Sequence, residues 1–270
     1  MNDINKTLYI PLYSKAYVSN KNLILKDTKA QEIFSGQTIK LKRKSKSKWL
    51  AYYLSIRCAV IDDFLKNKIN EDKDAVILHL GCGLDSRICR VNNNNHYWYD
   101  VDFLDVINER KKYFKEDKYY KMIEGNLKEN DWLEKIIKSK KAIIILEGIS
   151  MYLTLDDLKH LFENLSNHFD SFVLLMDCYS SFAAKMSRIK NPINDVGVRE
   201  VFGIDNPIQL NTSRVIFKQE HEMTPIKYIN ELKGFEKFIF KNLYAGKTSK
   251  KLYKLYEYNK QWGGIYEKRN

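Results

Sequence analysis

The residues best placed to do chemistry begin in the stretch LHLGCGLDSR, residues 78–87. Gly81 and Gly83 break a short apolar run. A glycine-rich turn after a strand lets backbone approach a ligand closely and aims helix N-terminal amides at it. Nineteen residues beyond Gly83, in YDVDF, stands Asp102. A carboxylate at the end of the second strand can accept hydrogen bonds from both hydroxyls of a ribose. A plain tight turn followed by a helix-capping aspartate would leave the same letters, but together and in this order the two signals point to an adenosine-type cofactor. Asp100 is a near neighbour and the alternative ribose acceptor. Nicotinamide enzymes favour Gly or Ala at the sixth position of the glycine motif, where this chain has Ser86. The motif also follows some 75 residues of helical extension. S-adenosylmethionine (SAM) is the better candidate.

Arg57 stands out by its surroundings. Trp49–Ile69 places Ile56, Val60, Ile61, Phe64 and Leu65 on one face at 100° per residue, with Arg57 in the middle of that face. A buried guanidinium is costly without a partner, so it needs a carboxylate from a ligand or from the protein. His79, inside an apolar strand, reads as a hydrogen-bonded core residue rather than a base. No cluster of His, Cys, Asp and Glu has metal-ligand spacing, so no metal is expected. Cys58, Cys82, Cys89 and Cys178 form no C-x-x-C pair and read as reduced thiols.

To bring these side chains together the chain must supply a sheet. Ala75–Leu80, His96–Val101, Tyr119–Glu124, Ala142–Leu146 and Phe172–Met176 read as strands. Leu104–Phe114, Trp132–Lys138 and Leu155–Phe169 read as the helices between them, the last opened by a Thr154/Asp157 capping box. Such alternation predicts a parallel sheet with helices on both faces. Phe235–Phe240 and Leu252–Asn259 read as two further strands closing one edge. The expected architecture is one domain over 1–270. Its helical lid region covers 1–73, and its sheet core covers 74–270 with an insertion around 180–224. The tract Gly36–Lys48, with LKRKSKSK at its core, reads as a basic loop, either a solvated linker or a lid.

At 270 residues, 44% hydrophobic and 13% aromatic, the chain is globular rather than disordered. Mean hydropathy is -0.48 and the longest clean apolar run is Ala142–Leu146, far short of the roughly 20 residues a bilayer needs. The N-terminus lacks secretory features, so a cytoplasmic protein with no membrane partner is expected. Lys and Arg outnumber Asp and Glu by 46 to 34. Only nine of the 46 are Arg, and the lysines are scattered among Asn and Ile, so no nucleic-acid partner is expected.

Most of the chain, in order, resembles the leucine carboxyl methyltransferase family, which includes tetracenomycin-polyketide-type O-methyltransferases. The resemblance runs through IPLYSKAYVSN, LILKDTKAQEIF, SIRCAVIDDFL, LHLGCGLDSRICRV, HYWYDVDFLDVI, GNLKENDW, LEGISMYLT and FGIDNP. It implies a Rossmann-like class I SAM-dependent methyltransferase with a seven-stranded, mostly parallel sheet and an N-terminal helical extension. It further implies that Lys15 and Arg57 sit at the methionyl carboxylate of SAM or at the substrate. Gly81 and Gly83 would line the cofactor, and Asp102 would hold its ribose. Glu147 would face the cofactor from the end of the fourth strand. Asn126-Leu127 stands where the family usually has Asp-Leu beside the adenine, keeping an acceptor oxygen without the charge.

The implied reaction is methyl transfer from SAM, leaving S-adenosylhomocysteine, to a carboxylate or hydroxyl of a small molecule. A protein C-terminal carboxylate, or less plausibly a nucleic acid, is the alternative acceptor. A carboxylate nucleophile is already ionised and needs orientation rather than a base, which Arg57 and Tyr152 could provide; Tyr152 could equally be core packing. A neutral hydroxyl would need a base that the sequence does not offer.

Overall fold

The computed structural model describes residues 5–37, 41–93, 95–190 and 200–260. Its centre is a seven-stranded sheet made of β1 (Val76–Leu80), β2 (Trp98–Asp102), β3 (Tyr120–Glu124), β4 (Lys141–Leu146), β5 (Ser171–Tyr179), β6 (Ile216–Glu220) and β7 (Tyr253–Lys260). The spatial order is β3-β2-β1-β4-β5-β7-β6. Strands β1 to β5 are parallel, and β7 runs antiparallel to both β5 and β6. Strand order reverses between β1 and β4, and the crevice outside the carboxyl ends at such a switch point is where open α/β sheets bind ligands.

The strands are apolar on both sides because both faces are covered. Ile77, Ile143, Ile145 and Leu175 pack on the face carrying α1 (Tyr9–Asn20), α2 (Thr28–Ser35) and α3 (Lys48–Glu71). Val76, Leu78, Ile144 and Leu174 pack on the opposite face against Leu158, Leu161, Phe162 and Leu165 of α6 (Leu155–His168). Short helices α4 (Arg87–Arg90) and α5 (Leu104–Arg110) follow β1 and β2. Helix α6 opens on the expected capping box, Thr154 accepting from the Asp157 amide and Asp157 accepting from the Thr154 amide. After β5 come α7 (Ser181–Lys190), α8 (Ile226–Ile229), α9 (Gly234–Leu243) and α10 (Lys247–Leu252).

Helix α3 differs from the one-sided helix of the sequence reading, because Ala51 to Ala59 are buried all round its circumference. Helix α1, α9 and the sheet enclose it, so Arg57 lies in a core rather than on a rim. Two other expectations are corrected. Phe235–Phe240 is not a strand but part of α9, whose Phe235, Phe238 and Ile239 recur at helical spacing. The edge strand is instead β6, inside the 180–224 segment; its residues are mostly exposed and partly polar, which hid it. Trp132–Lys138 forms only a short 3-10 turn, Asp131–Lys135. Within the basic tract, Arg43–Lys46 is likewise a 3-10 turn leading into α3.

Candidate active site

A cavity of about 350 Å³ opens at the switch point, within the range of about 300–1,000 Å³ usual for small-molecule sites. Lys15, Arg57, Gly81, Gly83, Asp102, Asn126, Leu127, Glu147 and Tyr152 all line it, so every candidate from the sequence reaches one chamber. Its upper wall is formed by Leu8, at the end of the 3-10 turn before α1, by Ile10 of α1 and by Leu50 and Leu54 of α3.

The floor is the turn after β1. Gly81 and Gly83 adopt φ of 65° and 52°, a left-handed conformation that favours glycine. A Cβ on Gly81 would stand 2.2 Å from Ile149 Cγ1, so this position must be bare for the turn to pass. The Gly83 amide donates to Asp102 Oδ2 at 2.8 Å, and the Phe103 amide donates to Oδ1 at 2.8 Å. Burial outweighs these two bonds and pushes the Asp102 carboxyl up to about 6. Asp100, the alternative ribose acceptor, is not among the residues that line the cavity. It is fully buried, accepts from Trp98 Nε1 and Tyr120 Oη, and pairs with Arg110. Arg110 also donates to the carbonyls of Gly83 and Asp85, at 3.0 and 2.7 Å, and so pins the glycine turn from beneath. Sequence reasoning missed Arg110, which simply closes α5 in the linear pattern.

The opposite wall is ionic. Arg57 donates from Nη1 to Asp177 Oδ2 at 2.7 Å and from Nε to Glu147 Oε1 at 3.1 Å. Burial opposes its charge, and the two carboxylates more than offset that. Asp177 also accepts from the Gly148 amide at 2.6 Å, fixing the turn after β4. Glu147 pairs in addition with Arg87, which donates to Asp62 Oδ1 at 2.7 Å and contacts His79 Nε2 at 3.0 Å. Burial would raise the Glu147 carboxyl, but Arg57 and Arg87 together bring it down to about 2. Lys15 is no surface lysine: it is buried, with Nζ 3.0 Å from Asp85 Oδ2. Arg90 ties Asp85, Asp62 and Asp27 into the same network.

His79 is the core residue expected, buried between Arg87 and Asp100, with burial lowering its pKa. Asn126 folds back on itself, donating to Glu129 Oε1 and accepting from the Lys128 amide. Tyr152 borders the cavity with Tyr179 and Tyr253, and burial raises its phenol. Of the ionic wall, Asp27, Asp62, Asp85, Arg87, Arg90 and Asp177 went unread in the sequence. Asp85 and Arg87 sit inside the glycine motif itself, the one local signal that could have exposed them.

A family model described as leucine carboxyl methyltransferase matches residues 11–166, more than half of the chain. The chain belongs to that family. Its class I methyltransferase sheet and its SAM-dependent methyltransferase activity follow. The methyltransferase is 25% identical over 241 residues to the tetracenomycin polyketide synthesis O-methyltransferase TcmP of Streptomyces glaucescens, covering 87% of this chain and 89% of that protein. It is 25% identical over 230 residues to the S-adenosyl-L-methionine-dependent methyltransferase dpfgK of Gibberella zeae, 77% of each chain. Among solved structures, a methyltransferase from Thermobifida fusca superposes with a TM-score of 0.55 at 12% identity, over 92% of this chain and 94% of that one. Magnesium protoporphyrin IX methyltransferase of Synechocystis, with bound S-adenosylhomocysteine, gives 0.50 at 9% identity, over 87% and 94%. These two likenesses concern the fold. No helix among the described residues is long and apolar enough to cross a membrane.

Proposed function

We propose that the methyltransferase transfers the methyl group of SAM to an ionised oxygen, in the first place a carboxylate, of a small molecule. The chemistry of the donor set fits the cofactor. Gly81 and Gly83 present bare backbone, and Asp102 offers a carboxylate whose only described hydrogen bonds come from two amides. Leu127 and Asn126 would border the adenine. Lys15 and Arg57 would meet the methionyl carboxylate or the acceptor with donors their protein partners leave over. The ionic wall sets four cations (Lys15, Arg57, Arg87, Arg90) against five carboxyl groups (Asp27, Asp62, Asp85, Glu147, Asp177). Such an excess of acid complements a cofactor that carries net positive charge.

When bound, SAM supplies a methyl group on a sulfonium that is ready to leave. The protein contributes alignment of a nucleophile with that carbon, and positioning of this kind removes roughly 7–11 kcal/mol of barrier. Helices α1 and α3 and the aromatic rings of Tyr152, Tyr179 and Tyr253 keep water from the acceptor side. Arg57, held by Asp177 and Glu147, would orient a carboxylate, with Tyr152 as a hydroxyl donor.

The observation that carries the carboxylate reading is the state of the cavity's bases. Glu147 and Asp85 are locked in ion pairs, and His79, which borders the cavity, is buried and engaged by Arg87 and Asp100. An acceptor that arrives ionised needs none of them. TcmP and dpfgK support a small-molecule acceptor. Incubation with methyl-labelled SAM and a panel of small carboxylic acids and phenols tests this. The label should enter a product that releases methanol in mild alkali, the signature of an ester. A base-stable ether as the only product would overturn the carboxylate reading.

A further inference from the structure

Helix α9 is built inside out. Its only fully buried side chain is Phe240, while Phe235, Phe238 and Leu243 are 74%, 64% and 60% exposed. The Phe235 and Phe238 rings stack on each other with centroids 6.4 Å apart, and Ile226 of the neighbouring α8 is exposed beside them in sequence order. Nothing among the described residues covers this face.

The surroundings of the face are cationic. Lys233 and Lys241 flank the phenylalanines in sequence and are exposed, as are Lys247 and Lys250 of α10. Helix α9 is fastened to the start of α3, where Lys48 pairs with Glu236 at 2.7 Å, Tyr52 donates to Glu236 at 2.6 Å and Trp49 stacks on Tyr244 at 5.5 Å. That junction brings in the 3-10 turn Arg43–Lys46, whose Arg43, Lys44 and Lys46 are exposed. Of the acids on this part of the chain, Glu236 is paired with Lys48 and accepts from Tyr52, and Glu231 accepts from the Ile24 amide. The basic tract that the methyl-transfer chemistry left unused therefore adjoins a projecting pair of aromatic rings.

We propose that α9 and the Arg43–Lys46 turn form a docking surface for an anionic lipid bilayer, on which the protein rests peripherally. Exposed aromatic side chains that enter the acyl boundary, ringed by lysines that reach the headgroups, are what such binding requires. The charge argues for this occupant over a second copy of the chain, since a two-fold contact through α9 would face lysines with lysines. The expectation of no membrane partner rested on the lack of a spanning segment, which a peripheral contact does not need. The site would gain from the arrangement, because Leu50, Leu54 and Arg57 line the cavity from the helix whose first turns hold α9.

Co-sedimentation of the full chain with vesicles tests the proposal, using phosphatidylcholine alone and phosphatidylcholine with phosphatidylglycerol in equal parts. The chain should sediment with the mixed vesicles and not with the neutral ones. The double variant Phe235→Ser/Phe238→Ser should bind the mixed vesicles at least about tenfold more weakly, with melting temperature and SAM affinity unchanged. Lys44→Glu/Lys46→Glu should lose binding similarly, and high salt should reduce that of the parent. Absence of binding to the mixed vesicles would overturn the proposal, as would a Phe double variant that binds them as tightly as the parent. A parent chain that is dimeric in sedimentation velocity, and that the Phe double variant makes monomeric, would assign the face to a second copy instead.

Discussion

Asp102 and Glu147 are carboxylates at the same end of the same sheet, both on the wall of one cavity, yet their surroundings drive them in opposite directions. Asp102 is held by two backbone amides and rises to about 6. Glu147 is clamped between Arg57 and Arg87 and falls to about 2. Burial acts on both in the same sense, so the difference lies in the partners. A carboxylate enclosed by guanidinium groups has its acceptor capacity spent on the protein. One held by amides alone keeps lone pairs for a ligand and bears the cost of exclusion from water until the ligand comes. The contrast separates a wall that builds the cavity from a residue that reads what enters it.

The contrast breaks most violently on the ionic side. Arg87→Ala would leave Asp62 and Glu147 buried beside one fewer cation, and breaking a buried pair costs roughly 3–5 kcal/mol. Denaturant unfolding should show a loss of that order, with an unchanged slope against denaturant. A loss below about 1 kcal/mol would mean that Asp62 and Glu147 are satisfied without Arg87.

Asp102→Ala should act the other way round. The substitution removes a carboxylate whose burial is poorly compensated, so the ligand-free protein should melt no lower than the parent. Cofactor affinity, by contrast, should fall at least about tenfold, since charge-assisted hydrogen bonds are worth about 1.5–3 kcal/mol each and 1.4 kcal/mol is a factor of ten. Calorimetry with S-adenosylhomocysteine checks the second half and a thermal melt the first. Normal affinity together with a lowered melting temperature would reverse the assignment of the two walls.

These walls were unequally legible in the sequence. The glycine turn and Asp102 are local, 19 residues apart, and strand and turn rules fix their relation. The ionic wall joins Lys15 to Asp85 across 70 residues and Arg57 to Asp177 across 120, and pairing at such range leaves no periodic trace. Arg57 announced only that it needed a partner. The parallel strands were legible from their apolar runs, whereas β6 and α9 were not, for one reason. β6 is a mostly exposed edge strand and α9 shows its apolar side to solvent, so neither obeys the rule that apolar periodicity faces a core. A departure of that kind at α9 is itself informative, because a helix that keeps phenylalanine out of the core has a surface to explain.

The smallest and sharpest effect is in pH. In the ligand-free protein a carboxyl raised to about 6 favours the folded state below its unfolded value of about 3.9, and that contribution is lost as pH rises through about 6. Ribose hydroxyls reverse the preference, because they donate to the ionised form and gain less from the protonated one. Binding should therefore release a proton near pH 6 and weaken on acidification. With a pKa of about 6, roughly three-quarters of Asp102 is protonated at pH 5.5, so S-adenosylhomocysteine affinity should be about fourfold lower there than at pH 7.5. Glu147 and Asp100, both near 2, do not titrate in this window. The remaining neighbours, Arg110 and the buried His79, are separated from the effect by Asp102→Asn, which should bind weakly and with no slope between pH 5.5 and 7.5. A slope that survives Asp102→Asn would belong to another group, and the comparison between the two carboxylates would then lose its functional half.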